Sequence, residues 1–332
     1  MFIRFFLITL AIHSFASKSE ELPRILDHRK EDQFLPITYY FNAAFDVIQN
    51  PYYFSQSDFR QKHWKMFKRI SSPDHSIKKD GGYKKLFEDE FLTSRVIPNI
   101  GLHMIGGAYD KLYFYQYFSE NNYPAPMAFT FALSYLGHFG NEALELTNEN
   151  ISSHDHIADL FFFDAMSFYL AFNPTIMNFL VRDMQMQAWH LQPMFNFEKS
   201  DVTNSGLNYI FRPNLFENQY RPLIFIGMLN LLGLSYELSN KQFISAAVGM
   251  ALTDPLEQKG KFVTAFFYDK EDSLNASLYL NGTEEYRVRL NLFPELFRFD
   301  SVRLGLMLGQ KRDDSEVIGV NMNLPLGLAF GD

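Results

Sequence analysis

The chain has 332 residues, a net charge of −8 and no cysteine. That length holds one large domain or two ordinary ones, and the lack of cysteine excludes a disulfide scaffold and thiolate chemistry. At 47% apolar residues the chain has ample material for a core, which excludes wholesale disorder.

Residues 1–16 read as a secretory signal. Arg4 is the positive start, Phe5 to Ile12 is an apolar run broken only by Thr9, and Ser14-Phe15-Ala16 places small residues at a cleavage site. The run is too short to span a bilayer. Residues 17–97 form a mixed, loop-rich N-terminal region. Its most basic stretch runs from Lys62 to Lys85, interrupted by Pro73, Asp74, His75 and Gly81-Gly82. Nucleic-acid binding needs a concentrated cationic face, so no nucleic-acid partner is expected. The stretch suits a solvated loop, or contact with anionic lipid headgroups.

Residues 98–182 carry helical periodicity. Pro124 and Pro126 open one helix, with Met127, Phe131, Ser134 and Tyr135 on one face. Asn148, Asn150, Ser152 and Ser153 make a break and a ready N-cap. His156 to Phe172 is a second apolar helix, ended by Pro174. Both are apolar nearly all round, which implies burial. No segment supplies about 20 uninterrupted apolar residues.

From residue 183 to 332 the period switches to two. Ile244, Ala246, Val248 and Met250 alternate with Ser245, Ala247, Gly249 and Ala251. Leu274, Ala276, Leu278 and Leu280 follow, then a turn at Asn281-Gly282-Thr283. Val288 and Leu290, Leu304 to Leu308, and Ile318 to Leu326 repeat the rhythm. One face is aliphatic and the other small and weakly charged. A soluble sandwich puts Lys, Glu and Thr on its wet face; a small polar second face fits the interior of a transmembrane barrel. The segment Leu223–Leu238 is apolar on both faces and calls for cover by the helical region. The chain ends Phe330-Gly331-Asp332, whereas outer-membrane barrels commonly end on the aromatic residue itself. The 36 Phe and 18 Tyr against 2 Trp suit either a lipid-contacting surface or a Phe-rich soluble core.

Residues 40–180 resemble a domain-of-unknown-function family of Gram-negative envelope proteins. The resemblance runs through Asn42, Asp46, His63-Trp64, Asn99, Gly107 and Tyr109, then Ser134, Glu142 and Glu145, and last Ser152-Ser153, Asp155 and Asp159. His103-Met104 stands where the family usually has His-Pro, and Tyr169-Leu170-Ala171 where it tends to have Gly-Glu. The resemblance implies an envelope location and no known activity.

The polar constellation with most chemistry in it is His138, Glu142 and Glu145 on one helix, with His154, Asp155, His156 and Asp159 opening the next. His138 and Glu142 are four residues apart and share a helix face. Glu142, His138, His156 and Asp159 are the candidate catalytic residues; His138, Glu142, His154 and His156 are the candidate metal ligands. The competing reading is that Asp155 and Asp159 cap a helix and Glu142 satisfies buried polar groups. A Ser–His pair for acyl hydrolysis has Ser205, Ser235, Ser245 and His190 as its strand-borne options. No phosphate loop, dinucleotide fingerprint or nucleophile elbow is present, and no cofactor is expected.

The expected fold is α+β, with a buried helical N-terminal region packed on or inside a C-terminal antiparallel β-barrel of about eight strands. The expected role is structural or transport-related, in the outer membrane or alternatively the periplasm, with the lipid bilayer as partner. The competing expectation is an envelope hydrolase acting on lipid or glycan.

Overall fold

The fold is that of a computed structural model, describing residues 21–331 except 27–35, 52–53, 94, 147–151, 216–218, 240, 255–258, 282–285, 295, 300–301 and 323. The expected leader at residues 1–16, most of the Asn281-Gly282-Thr283 turn, and Asn148 and Asn150 lie outside the described residues.

The architecture is α+β. Helices α1 (Pro36–Ala44), α2 (Phe59–Ser71), α3 (Pro73–Lys79) and α4 (Gly82–Phe91) come first. The basic stretch is therefore helical, and Ser72-Pro73 and Gly81-Gly82 separate helices instead of making a loop. A π-helical segment, Asn99–Gly106, then runs into α5 (Gly107–Glu120). Helix α6 (Pro126–Leu144) starts at the expected proline. Helix α7 (Ser153–Ala158) is capped by the Ser152 side chain, which accepts from the His154 amide. It continues through a second π-helical segment, Asp159–Phe163, into α8 (Asp164–Ala171), and α9 (Pro174–Asn178) follows. Among the described residues no single helix is long and apolar enough to cross a membrane.

The strands are β1 (Gln187–Ala188), β2 (Met194–Asn196), β3 (Asp201–Thr203), β4 (Tyr209–Phe211), β5 (Tyr220–Ile226), β6 (Leu229–Ser239), β7 (Gln242–Asp254), β8 (Lys259–Lys270), β9 (Ser273–Leu280) and β10 (Tyr286–Leu292). Beyond them come β11 (Arg298–Phe299), β12 (Val302–Arg303), β13 (Gly305–Lys311), β14 (Glu316–Asn321) and β15 (Gly327–Phe330). Thirteen form one sheet in the order β1-β4-β5-β6-β7-β8-β9-β10-β13-β14-β15-β2-β3. This corrects the expected eight-strand barrel: the sheet is larger, and its ladder does not close. It is also mixed, because β15 pairs with β2 in parallel, Gly327 opposite Met194. The first strand of the order and the last but one nevertheless stay close. Only residues 189–193 separate β1 from β2, and an extended chain of that length reaches about 20 Å. The sheet must therefore curl.

The curl sorts the side chains. Within β7, Phe243, Ser245, Ala247 and Ala251 face inward and are buried, while Ile244, Ala246, Val248 and Met250 face outward and are exposed. The inner face of the β4–β9 wall is filled by Trp189, Phe225, Phe267 and Tyr279 among smaller residues. Arg212 joins them with both Asp269 oxygens in its fork, at 2.9 and 2.8 Å.

The helices cover the outer face of β4 and β5. Tyr209, Phe211, Ile224 and Ile226 pack among Tyr39, Ala108, Leu112 and Met177, whereas Ile210, Leu223 and Phe225 on the same strands point into the sheet's interior. That explains the two-faced segment Leu223–Leu238. It is a hairpin, and its first strand has helices on one side and the sheet core on the other. The helices thus lie on the sheet and do not plug it. Gly106 permits the contact, since a Cβ there would run into the Tyr209 ring. Asn42 and Asp46 fasten α1 to the chain before β4: Asn42 donates to the Leu191 carbonyl and accepts from the Gly206 amide, and Asp46 accepts from the Leu207 amide at 2.6 Å.

Candidate functional site

Four backbone segments converge under the outer helices, and each brings polar groups that an apolar core cannot satisfy. The first π-helical segment carries His103; α6 carries His138 and Glu142, with Glu145 at its C-terminal cap; α7 carries Asp155 and His156; the second π-helical segment and the start of α8 carry Asp159 and Asp164. A π-turn admits one extra residue per turn and re-aims the side chains beyond it, so it is most often kept where function needs it.

The cluster has three overlapping parts. In the first, Nδ1 of His138 lies 2.5 Å from Oδ1 of Asp164, Lys111 Nζ reaches the same oxygen at 3.2 Å, and Tyr39 OH sits 3.2 Å from the other ring nitrogen of His138. In the second, Nε2 of His103 lies 3.4 Å from Oδ2 of Asp159, with Glu142 close to both. In the third, Nδ1 of His156 lies 2.7 Å from Oε2 of Glu142, with Glu145 and Asp155 beside them. Glu142 belongs to two of these groups and is fully buried, as is His156. Arg95 borders the third part, 2.8 Å from Glu90 and 3.4 Å from Asp155.

Burial governs the acidities. It lifts Asp159 well above the ordinary carboxylate range, with the Glu142, Asp155 and Glu145 charges adding to the rise. Glu145 moves the same way, by burial first and then by Glu142 and Asp155. Burial and Asp155 raise Glu90 to about 8, against the pull of Arg95. At Asp164 burial is outweighed, and His138 with Lys111 hold its carboxyl down to about 2. One end of the cluster is thus charge-balanced. The other carries acids that must hold protons or share a cation.

Of the residues expected from sequence, Glu142, His156 and Asp159 do come together. His138 lies alongside, with both ring nitrogens engaged. His154 does not join them: Nδ1 is 3.1 Å from Asp89 and Nε2 is 3.4 Å from the Ile77 carbonyl, both away from the cluster. Two residues apart on a helix means about 200° of rotation, so His154 and His156 cannot share a face. His103, Asp164, Lys111 and Tyr39 are members that the sequence pattern does not single out. The signal for one of them is an acid, Asp164, inside an apolar run. The strand-borne Ser–His pair does not form. His190 is held by Asp110 at 3.2 Å and by the Asn208 amide, Ser205 donates to the Phe45 carbonyl, and Ser245 donates to Ser235.

A second feature lies between α2, α3 and α4. Lys65, Lys68, Arg69, Lys79 and Lys85 line a cleft of about 470 Å³ together with Ser76, Asp80 and Ser153.

Compared with known proteins, the chain gives no match to any family model, curated protein or solved structure.

Proposed function

We propose that this chain is an exported outer-membrane envelope protein whose curled sheet meets lipid with its outward face, in a structural role. The observation that carries this reading is the exposure of the aliphatic face. Leu232 is 66% exposed, Phe262 57%, Met322 54% and Ile318 50%. Ser235, Ser245, Ser277 and Asn291 are buried on the inner face. A water-soluble sheet orders these the other way, and a contiguous apolar surface of this kind marks a membrane or a partner. Strands β6, β7 and β8, with 11, 13 and 12 residues, are long enough to cross a hydrocarbon layer. The aromatic filling of the β4–β9 interior supports anchoring over conduction. The lysine-lined cleft suits the phosphates of anionic headgroups, and the envelope-family resemblance agrees with the address.

The absence of native cysteine makes the test clean. Val248→Cys and Ala247→Cys place one thiol on each face of β7. In membranes, Val248→Cys is expected to react with a lipophilic maleimide and resist a charged, water-soluble one. Rapid labelling of Val248→Cys by the charged reagent, in protein released by carbonate without detergent, overturns the reading.

A further inference from the structure

We propose that the helical layer binds divalent transition-metal ions at a buried carboxylate–imidazole centre built on Glu142, with His103 and Asp159 on one side and Glu145, Asp155 and His156 on the other. The site stands apart from the sheet and does not depend on whether the sheet meets lipid.

Geometry is the first support. One donor atom from each of His103, Glu142 and Asp159 lies within 4.8 Å of the others, and the same holds for Glu142, Glu145, Asp155 and His156. Ligands about 2.1 Å from a tetrahedral ion stand roughly 3.4 Å apart, so small side-chain rotations close either group. Glu142 has two oxygens and belongs to both groups, which lets it bridge two ions.

Unused donors are the second support. Oε1 of Glu142, Nε2 of His156, Oδ1 of Asp159 and Nδ1 of His103 are buried without a hydrogen-bond partner. Buried polar atoms are nearly always paired. Four orphans in one cluster, each a lone-pair donor, point to a shared electrophile. His138 and Asp164 form a further donor group with His103, and Oδ2 of Asp164 is also unpartnered, but Lys111 and Tyr39 reach them and supply a cation and a hydroxyl of their own.

Charge is the third. Among the described residues, Arg95 reaches Glu90 and Asp155, and Lys111 reaches Asp164. Neither makes an ion pair with Glu142, Glu145 or Asp159. A divalent ion neutralises the acids that the two basic side chains do not.

Ligand type then selects the metal. Two imidazoles with carboxylates and no thiolate suit zinc, iron(II) or manganese(II), and the imidazoles argue against calcium and magnesium. Asn141 donates to Glu145 at 3.1 Å and Asn99 to Glu90 at 3.2 Å, which orients carboxylates within and beside the centre.

The test uses the untagged full chain in detergent, stripped with chelator and dialysed in turn against zinc, manganese(II), iron(II) and cobalt(II). Elemental analysis is expected to give one to two ions per chain for at least one of the four. The cobalt form is expected to show d–d bands without thiolate charge transfer. Glu142→Gln and His156→Ala are expected to lower the metal content at least tenfold, while Lys65→Ala leaves it unchanged. Wild-type protein that retains its circular dichroism but takes up less than 0.1 ion of every metal overturns the proposal. So does full loading of folded Glu142→Gln and His156→Ala. Should either variant fail to fold, the wild-type stoichiometry and cobalt spectrum decide the question alone.

Discussion

Arg212 with Asp269 in the sheet, and His156 with Glu142 in the helical layer, are pairs of nearly equal burial in unlike surroundings, one among aromatic rings and one among further carboxylates. Both Asp269 oxygens are bound by the guanidinium, whose face lies over Phe243 at 4.1 Å and Trp189 at 5.4 Å. Glu142 and His156 each keep one polar atom without a partner. Arg212 also keeps Nε without a partner, but its charge is matched by Asp269 and aromatic rings cover the pair. The helical cluster leaves lone pairs open to something added later. Two regions of one chain thus bury polarity for different ends, one to hold a wall together and one to present donors.

That contrast is sharpest under substitution. Asp269→Ala strands a buried guanidinium, and removing one partner of such a pair costs about 3–5 kcal/mol. Denaturant unfolding in detergent is expected to show a loss of that size. Glu142→Gln in metal-free protein is expected to change stability little or to raise it, because it removes a carboxylate crowded by Glu145 and Asp159. Equal losses in the two variants would erase the distinction between a charge-matched pair and an open donor set.

The outward face provides the next break point. Val248→Arg on β7 is expected to cost about 2–4 kcal/mol if the position meets the bilayer midplane. A water-facing site tolerates the change within about 0.5 kcal/mol. The matched change Lys270→Arg, at the end of β8, is expected to cost nothing measurable. Refolding yield into lipid vesicles distinguishes these outcomes.

A smaller effect is expected where the two regions touch. Gly106→Ala presses a methyl group into the Tyr209 ring, and overpacking of this kind costs about 1–3 kcal/mol. Pairing it with Tyr209→Phe, which removes only the hydroxyl that donates to Asp110, should give additive losses if the ring position, not the hydrogen bond, limits the approach.

Much of this fold is legible in the chain because side-chain period and backbone period coincide. The alternation at Ile244–Met250, Leu278–Leu280, Leu306–Leu308 and Ile318–Val320 marks true strands, and Pro126 and Ser152 mark true helix starts. What the rhythm misses is short or mixed structure. Strands β1 to β4 have two or three residues each, too few to display a period. The parallel pairing of β15 with β2 joins segments over a hundred residues apart and leaves no local trace. The site divides in the same way. His138 with Glu142, and His156 with Asp159, are readable as pairs because helical spacing aligns neighbours on one segment. His103 and Asp164 join them only through packing, across 39 and 22 positions from Glu142, a relation no local pattern encodes. His154 shows the converse: it has a ligand's chemistry, but its place on α7 turns it toward Asp89.

A last effect, read as a pH dependence, concerns Asp46, which staples α1 to the sheet side and lies outside the cluster. Burial lifts its pKa to about 7, against the opposing pull of the Leu207 amide and the Gln49 side chain. Unfolded, the same carboxyl titrates near 4. Between those values the folded chain holds a proton that the unfolded chain has released, so rising pH favours unfolding. The stabilisation is complete below about pH 4, drains away up to about pH 7, and changes no further above it. A tenfold difference in proton affinity between folded and unfolded chain is worth about 1.4 kcal/mol, enough to move the thermal midpoint by a few degrees. Asp46→Asn keeps an acceptor for the Leu207 amide and cannot ionise, so its midpoint should fall less between pH 5 and pH 8 than the wild type's. Other buried acids, Glu90 among them, titrate in both proteins and cancel in that difference. Parallel pH profiles would mean that the staple is ionised in the fold, and that water or a cation reaches a junction the packing closes.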